Sequence, residues 1–457
     1  MSETDNLVQE VNKVSEPDLS KSVLKRFMIN VASLFSVQVA NFLIPLLTVP
    51  YIVRIIGPER LGLLNFSQAY IAYFTLLINY GFEMSAVRNI AGKRDDKAQT
   101  DRIFSEVLAG KFLLWLVSTV LFVAVTLAVP DFKAHLWLHI CTYITCIGTV
   151  LAPFWIYQAM EDLGRVAIFN LAVKIIFSAS VLLLIRQPED YIYQNLMISV
   201  SQVLVNLAAL WVAVKRFKLT FTWPTQQQLL GRFKEDSTLF FSSIMITLYA
   251  SSAPFFLGIF STPYDVGIFS AGTRLEGIAR SFVALALNQA FFPVVASAFG
   301  KGREQGLRVV QTAFMPLILL MVAISVTLWL IAPIFITLFY GDKFTDAITV
   351  LRIVSLLPII ISASNLLGLH TMLNLRMDQP FFIITAIGSV IGLILNVVMI
   401  NKIGYIGAAW AWVLAELYIV LTMYGYLRYK KVPVLSVSSL RETLALGKGQ
   451  LRSFLAK

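Results

Sequence analysis

Charge is scarce in this chain. Asp, Glu, Lys and Arg supply only 14% of its 457 residues, against roughly 25% in soluble globular domains. Hydrophobic residues make up 58%, and the mean hydropathy is +0.76. A soluble fold could not hide that much apolar surface, so the chain reads as an integral membrane protein. Cysteine is rarer still. The pair Cys141 and Cys146 lies five residues apart in one apolar run, a spacing that fits neither a zinc knuckle nor a redox C-x-x-C and suits packing thiols. Missing too are an H-E-x-x-H zinc motif and a G-x-S-x-G nucleophile elbow, and Gly300-Lys-Gly-Arg-Glu-Gln-Gly306 lacks the order of a phosphate-cradling P-loop. These absences argue against direct ATP drive, a resident metal and hydrolytic chemistry. The chain is expected to need no cofactor and not to be an enzyme.

What is present is a succession of apolar runs long enough to cross a bilayer, each of about 18 residues or more. Six fall near 29–53, 64–87, 104–128, 135–158, 166–185 and 192–214, and six near 238–260, 267–293, 309–337, 348–372, 381–400 and 406–427. The expected organisation is a cytoplasmic tail over 1–22, a first lobe over 23–214, a cytoplasmic linker over 215–237, a second lobe over 238–428 and a tail over 429–457. Residues 1–20 carry five acids and no apolar core run, so they read as a disordered cytosolic tail and not as a cleavable signal peptide.

Orientation follows from the basic residues, which are retained on the cytoplasmic side. Of 37 Lys and Arg, 26 fall on the side shared by both tails and by the segments near 88–102, 215–234 and 301–308, and 6 fall on the other. The net charge of +11 therefore bears on topology and not on nucleic acid. Both termini are predicted to be cytoplasmic. The outer loops are all short, so any function must reside inside the helix bundle.

A repeat is visible at an offset of 205: Gly57-Pro-Glu-Arg-Leu-Gly62 follows the first span and Thr262-Pro-Tyr-Asp-Val-Gly267 the seventh, each with Pro-x-x-x-Gly. Gly92-Lys-Arg and Gly300-Lys-Gly-Arg, and Pro50 and Pro254, echo at about the same offset. Six spans in each half give the copies one orientation, hence a pseudo-two-fold axis along the membrane normal. Prolines inside spans, among them Pro45, Pro153, Pro254, Pro316, Pro333 and Pro358, predict bends; packing kinks account for most of them.

Polar residues within the spans recur at helical spacing, as a shared aqueous cavity requires. One face of the second span carries Gln68, Thr75, Asn79 and Glu83, and the fifth carries Asn170, Lys174 and Ser178. The eleventh carries Thr385, Ser389 and Asn396, the first Asn30, Ser33 and Asn41, and the eighth Arg274, Ser281 and Asn288. Five basic residues lie inside or at the edge of spans: Lys111, Lys174, Arg274, Arg280 and Arg352. A cation at depth is costly unless solvated or paired, so the first four are candidate ligands for an anion. Snorkelling is the alternative for Lys111 and Lys174, and pairing with Glu276 for Arg280; Arg352 starts its span. Glu83, Glu276 and Glu416 are candidate proton carriers or structural ion-pair partners. Trp115, Trp155, Tyr157, Trp410 and Trp412 suit sugar stacking or an interfacial belt.

From Gln38 to Gly62 (QVANFLIPLLTVPYIVRIIGPERLG), and again over Asn79 to Arg88 (NYGFEMSAVR), the chain resembles Wzx-type O-antigen and polysaccharide flippases. These belong to the multidrug/oligosaccharidyl-lipid/polysaccharide exporter superfamily, and span count and short loops extend the resemblance over about residues 22–430. It implies an all-α membrane protein, two six-helix lobes in the manner of the MATE transporters, and a V-shaped central cavity with a cationic lumen. The implied substrate is an oligosaccharide on undecaprenyl pyrophosphate, carried from the cytoplasmic to the periplasmic leaflet of a bacterial inner membrane under an ion gradient. Implied surroundings are membrane lipids and a glycan polymerase and chain-length regulator of the same pathway. A proton- or sodium-coupled drug exporter is the alternative within the fold, and a polytopic glycan-assembly enzyme the alternative outside it.

Overall fold

The structure, a computed structural model, describes residues 18–94, 96–286 and 291–433. Side chains are described from Thr48 onward, except at 163, 242–243, 245–251, 282–286 and 292–293. Among the described residues every regular element is helical. Eight stretches among them are long and apolar enough to cross a membrane. The backbone of a lone span has no water to bond in hydrocarbon, so helices that satisfy their own amides are the expected solution.

The first helical stretch, α1 (Asp18–Asn79), is two helical limbs joined at Gly57, whose φ of 77° only glycine adopts without strain. Pro58 then opens the second limb. At the far end Tyr80 and Gly81, both with positive φ, stop α1, and α2 (Phe82–Ala91) begins in a new direction. Glu83 therefore does not continue the stripe of Gln68, Thr75 and Asn79: the predicted span 64–87 is broken before it. After α2, Asp96 accepts a bond from the Gln99 amide at 2.9 Å and starts α3 (Lys97–Ala128).

The span predicted at 135–158 is split at Pro153 into α4 (Leu136–Leu151) and α5 (Phe154–Ala159). Helices α6 (Leu163–Leu184) and α7 (Ile192–Arg216) complete the first half. Thr225 and Gln228 form a reciprocal capping box that starts α8 (Gln226–Phe260), and α9 (Pro263–Ala286) follows after a short turn. Then come α10 (Phe292–Lys301), α11 (Arg303–Phe339), α12 (Ala347–Val354) and α13 (Leu357–Leu367). A π-helical turn at Gly368–Met372 follows, so the span predicted at 348–372 is also segmented. The last helix, α14 (Asp378–Tyr429), bends at Ile403 and Gly404 and contains both final spans, with the break where the hydropathy gap predicts it.

The buried apolar side chains are distributed unevenly between the two ends of the molecule. One cluster, with Ile56, Leu64 and Phe66 from α1 and Leu257, Val266, Phe269 and Tyr340 from the second half, spans both halves. At the opposite end the packing divides. Val295, Leu307, Met372, Met423 and Leu427 form a core of the second half alone. Phe82, Ile90, Phe104, Trp155 and Leu219 form one that belongs to the first half and the linker. The halves thus share one apolar core at the end of the short 54–62 and 261–266 segments, whereas at the end of the basic ones each has its own core and α8 reaches across, with Phe240 stacked on Tyr80.

Candidate functional site

Between the halves lies a cavity of about 650 Å³, within the range of roughly 300–1,000 Å³ common for ligand sites. Its first wall is built by Thr48, Ile52, Asn65 and Gln68 of α1, Lys174 and Phe177 of α6, and Gln194 of α7. The facing wall comes from Ser252 and Pro254 of α8, Thr273, Arg274, Arg280 and Ser281 of α9, Tyr340, and Asn396 and Trp412 of α14. The bend at Gly57 is what lets both limbs of α1 contribute.

Three cations line this space, and among the described residues no Asp or Glu does. Lys174 and Arg274 come from opposite halves and are near enough to repel one another. Arg274 also acts electrostatically on the Tyr340 hydroxyl. Arg280 is steadied on both sides: its Nε donates to Glu276 Oε1 at 3.1 Å, and its guanidinium lies 5.2 Å from the centre of the Trp412 ring. Glu276 is fully buried behind it, close enough to Glu416 for the two carboxylates to repel. The cavity therefore presents planar and point-like donors with an excess of positive charge. An anion there would be held by charge-assisted bonds, and the indole of Trp412 offers an apolar face beside them.

The fourth predicted cation is elsewhere. Lys111 is buried inside the first half, where its Nζ donates to Glu83 Oε1 at 2.6 Å and to the Thr149 carbonyl at 3.2 Å. Lys111 and Glu83 are brought together, but neither lines the cavity. Of the predicted polar lining, Gln68, Ser281 and Asn396 border the space, whereas Asn79 and Asn170 do not. Asn41 lies in α1 with its side chain outside the described set, and Asn288 lies outside the described residues. Sequence reading missed Asn65, Gln194 and Tyr340. Asn65 sits one turn before Gln68, a cue that was available.

A second polar system, also missed, sits behind the first wall. Ser67 Oγ donates to Thr142 Oγ1 at 2.7 Å and meets His139 Nδ1 at 3.0 Å. Asn195 Nδ2 donates to Thr142 Oγ1 and accepts, through Oδ1, from Gln68 Nε2 at 2.7 Å. These bonds fix the amide of Gln68 at the cavity edge and couple it to α4 and α7.

Residues 27–299 match the model of a family described as polysaccharide biosynthesis protein, and residues 303–457 match a second model of the same description. The chain belongs to the polysaccharide biosynthesis protein family. That membership agrees with the Wzx-type resemblance carried by residues 38–62 and 79–88. The family member is 26% identical to a proposed O-antigen transporter of Escherichia coli K12, over 89% of this chain and 97% of that one. It is 23% identical to a proposed O-antigen transporter of Shigella dysenteriae, over 86% and 98%. Its fold is shared with the lipid II flippase MurJ in an inward closed conformation, at a TM-score of 0.67 and 14% identity over 92% and 93% of the two chains. An inward-facing multidrug resistance MATE family transporter of the MOP superfamily superposes with a TM-score of 0.64 and 17% identity, over 86% and 96%.

Proposed function

We propose that this polysaccharide biosynthesis protein flips an oligosaccharide linked to undecaprenyl pyrophosphate from the cytoplasmic to the periplasmic leaflet of a bacterial inner membrane. The single observation that carries the reading is the cavity between the halves, lined by Lys174, Arg274 and Arg280 without an acid. A pyrophosphate bears the charge and the oxygen acceptors such a set recognises. Sugars are amphipathic and suit Trp412 and the amides of Gln68 and Asn396, while the polyprenyl chain stays in lipid.

Transport by alternating access needs a site reached from one side at a time, and an anion offers a physical trigger. It would remove the repulsion between Lys174 and Arg274, and so favour the state in which the halves close on it. Net movement requires coupling to a gradient, for which Glu276 and Glu416 are the proposed proton carriers. A cationic drug would meet repulsion from the same three side chains. The drug-exporter alternative is therefore the weaker reading of this cavity.

Arg274→Ala and Lys174→Ala should each reduce surface glycan at least tenfold with unchanged protein in the membrane, read by immunoblot of both. Arg274→Lys should recover part of the activity, since the charge remains while the planar fork is lost. Wild-type surface glycan in both alanine variants would remove the anion-binding assignment.

A further inference from the structure

The Pro-x-x-x-Gly repeat has a structural counterpart that goes beyond substrate binding. Gly62 of α1 and Gly267 of α9 meet across the two halves with their backbones in contact. A Cβ on Gly62 would be driven into the Pro263 carbonyl oxygen, with the carbonyl carbon at 2.7 Å and the Gly267 nitrogen at 2.9 Å. A Cβ on Gly267 would be driven into the Pro58 carbonyl oxygen, with that carbonyl carbon at 2.8 Å and the Gly62 nitrogen at 3.2 Å. Each glycine thus seats against the proline carbonyl of the other repeat, four residues before the opposing glycine. Both φ values are ordinary for a helix, since neither glycine is among the positive-φ residues. The backbone conformation therefore asks nothing special of either position; only the approach of the other half does.

The surroundings make this contact the floor of the closed end. Leu64, Leu257, Val266 and Ile268 are fully buried around it, in the apolar cluster that both halves share. The cavity begins immediately beyond, at Leu61, Asn65 and Phe269. No comparable shared core exists at the other end among the described residues, where the buried clusters are separate and the start of α8 links the halves.

We infer that the reciprocal seating of Gly62 and Gly267 is the outer gate of the transport cycle: a dry seal that shuts only because neither position carries a side chain. Small residues let helix backbones approach in just this way within membranes, where lipid supplies no hydrophobic drive and close van der Waals contact must do the joining. Opening outward must break this contact. A side chain at either glycine holds the helices apart and favours the outward-open arrangement. Because one contact serves both repeats, the second substitution adds little to the first.

The inference rests on the alternating-access reading, and the test separates the two. A reporter, Thr273→Cys in the cavity wall, is placed in a chain with Cys141→Ala and Cys146→Ala. It is labelled with a membrane-impermeant maleimide, from the periplasmic side in spheroplasts and from the cytoplasmic side in inverted vesicles. With wild-type glycines, labelling from the cytoplasmic side should dominate. Gly62→Val and Gly267→Val should each raise periplasmic labelling at least threefold, Gly62→Ala and Gly267→Ala should raise it less, and the double alanine variant should not exceed the larger single effect by much. Gly92→Ala, where no atom lies within 4 Å of the added methyl, should leave labelling unchanged. If the valine variants fail to reach the membrane, the alanine pair carries the comparison. Periplasmic labelling that stays at the wild-type level in the alanine and valine variants overturns the gate, and does so whether or not Arg274→Ala loses surface glycan. Raised labelling together with unaffected glycan in Arg274→Ala would keep the gate and discard the anion site.

Discussion

Glu106 shows what a single buried side chain does at the basic end of the molecule. Its Oε2 accepts from Arg232 Nη2 at 2.9 Å and Nε at 3.1 Å, and its Oε1 from Arg102 Nε at 2.7 Å. The side chains of Glu106 and Arg232 are only 4% and 5% exposed. Two charges this buried are tolerated because both oxygens of the carboxylate accept charge-assisted bonds, and removing Glu106 leaves Arg232 only its longer bond to Glu235 at 3.2 Å, at a cost of at most about 3–5 kcal/mol. Glu106→Ala should therefore lower the melting temperature in detergent by several degrees, with Glu106→Gln losing less because its carbonyl oxygen still accepts from an arginine. An unchanged melting temperature in Glu106→Ala would mean that water reaches Arg232. Sequence alone marks neither residue, since a Glu in the first turns of a span and an Arg in a polar linker both look like solvated charge. Lys111 was misplaced for a related reason. Its depth is legible from hydropathy, but its partner Glu83 lies beyond a helix break that depends on the positive φ of Tyr80 and Gly81.

At the level of elements, α8 begins as a polar helix clamped to the first half before it becomes a span. Arg232 ties it to α3, and Tyr80 stacks on Phe240 with ring centres 4.3 Å apart. Between these points Asp236 is fully buried beside Ser85, Arg232 and Glu235. Burial pushes its carboxyl up to about 6 from the usual 3.8, against the pull of the Ser85 hydroxyl and of Arg232. A proton held more tightly in the folded state stabilises below the unfolded value, and that advantage is lost as pH rises from about 4 through 6. Above pH 6 the buried carboxylate costs at most about 3 kcal/mol. Asp236→Asn should therefore come close to the wild type at pH 4 and melt higher at pH 8, as measured by thermal unfolding at those two pH values. Equal melting temperatures at pH 8 would show that Asp236 ionises without cost. Hydropathy finds such elements well, because a bilayer imposes length and composition on every crossing. It finds the break at Gly57, which falls in the gap between the first two runs, and Pro153 marks its own bend, but it does not find the break at Gly81, which lies inside the run 64–87 and is a matter of backbone geometry.

Over the whole molecule, two kinds of asymmetry point the same way although they share no residues. The basic loops gather at one end. The shared apolar core gathers at the other, where Gly62 and Gly267 meet. The positive-inside rule predicts that the end carrying the basic loops faces the cytoplasm and the end sealed by the shared core faces the periplasm. The orientation can be tested without reference to transport. Lys234 is exposed in the linker segment of α8 and Lys343 in the short turn after α11. In a chain lacking Cys141 and Cys146, Lys343→Cys should react with an impermeant maleimide in intact spheroplasts, while Lys234→Cys should react only once the membrane is opened or inverted. The reverse pattern would move the Gly62 and Gly267 contact to the cytoplasmic face. An inward gate would then be the one made by the paired glycines, and the cavity would await its anion from the periplasm. The labelling of two surface lysine positions therefore decides the direction in which the three cavity cations can be loaded.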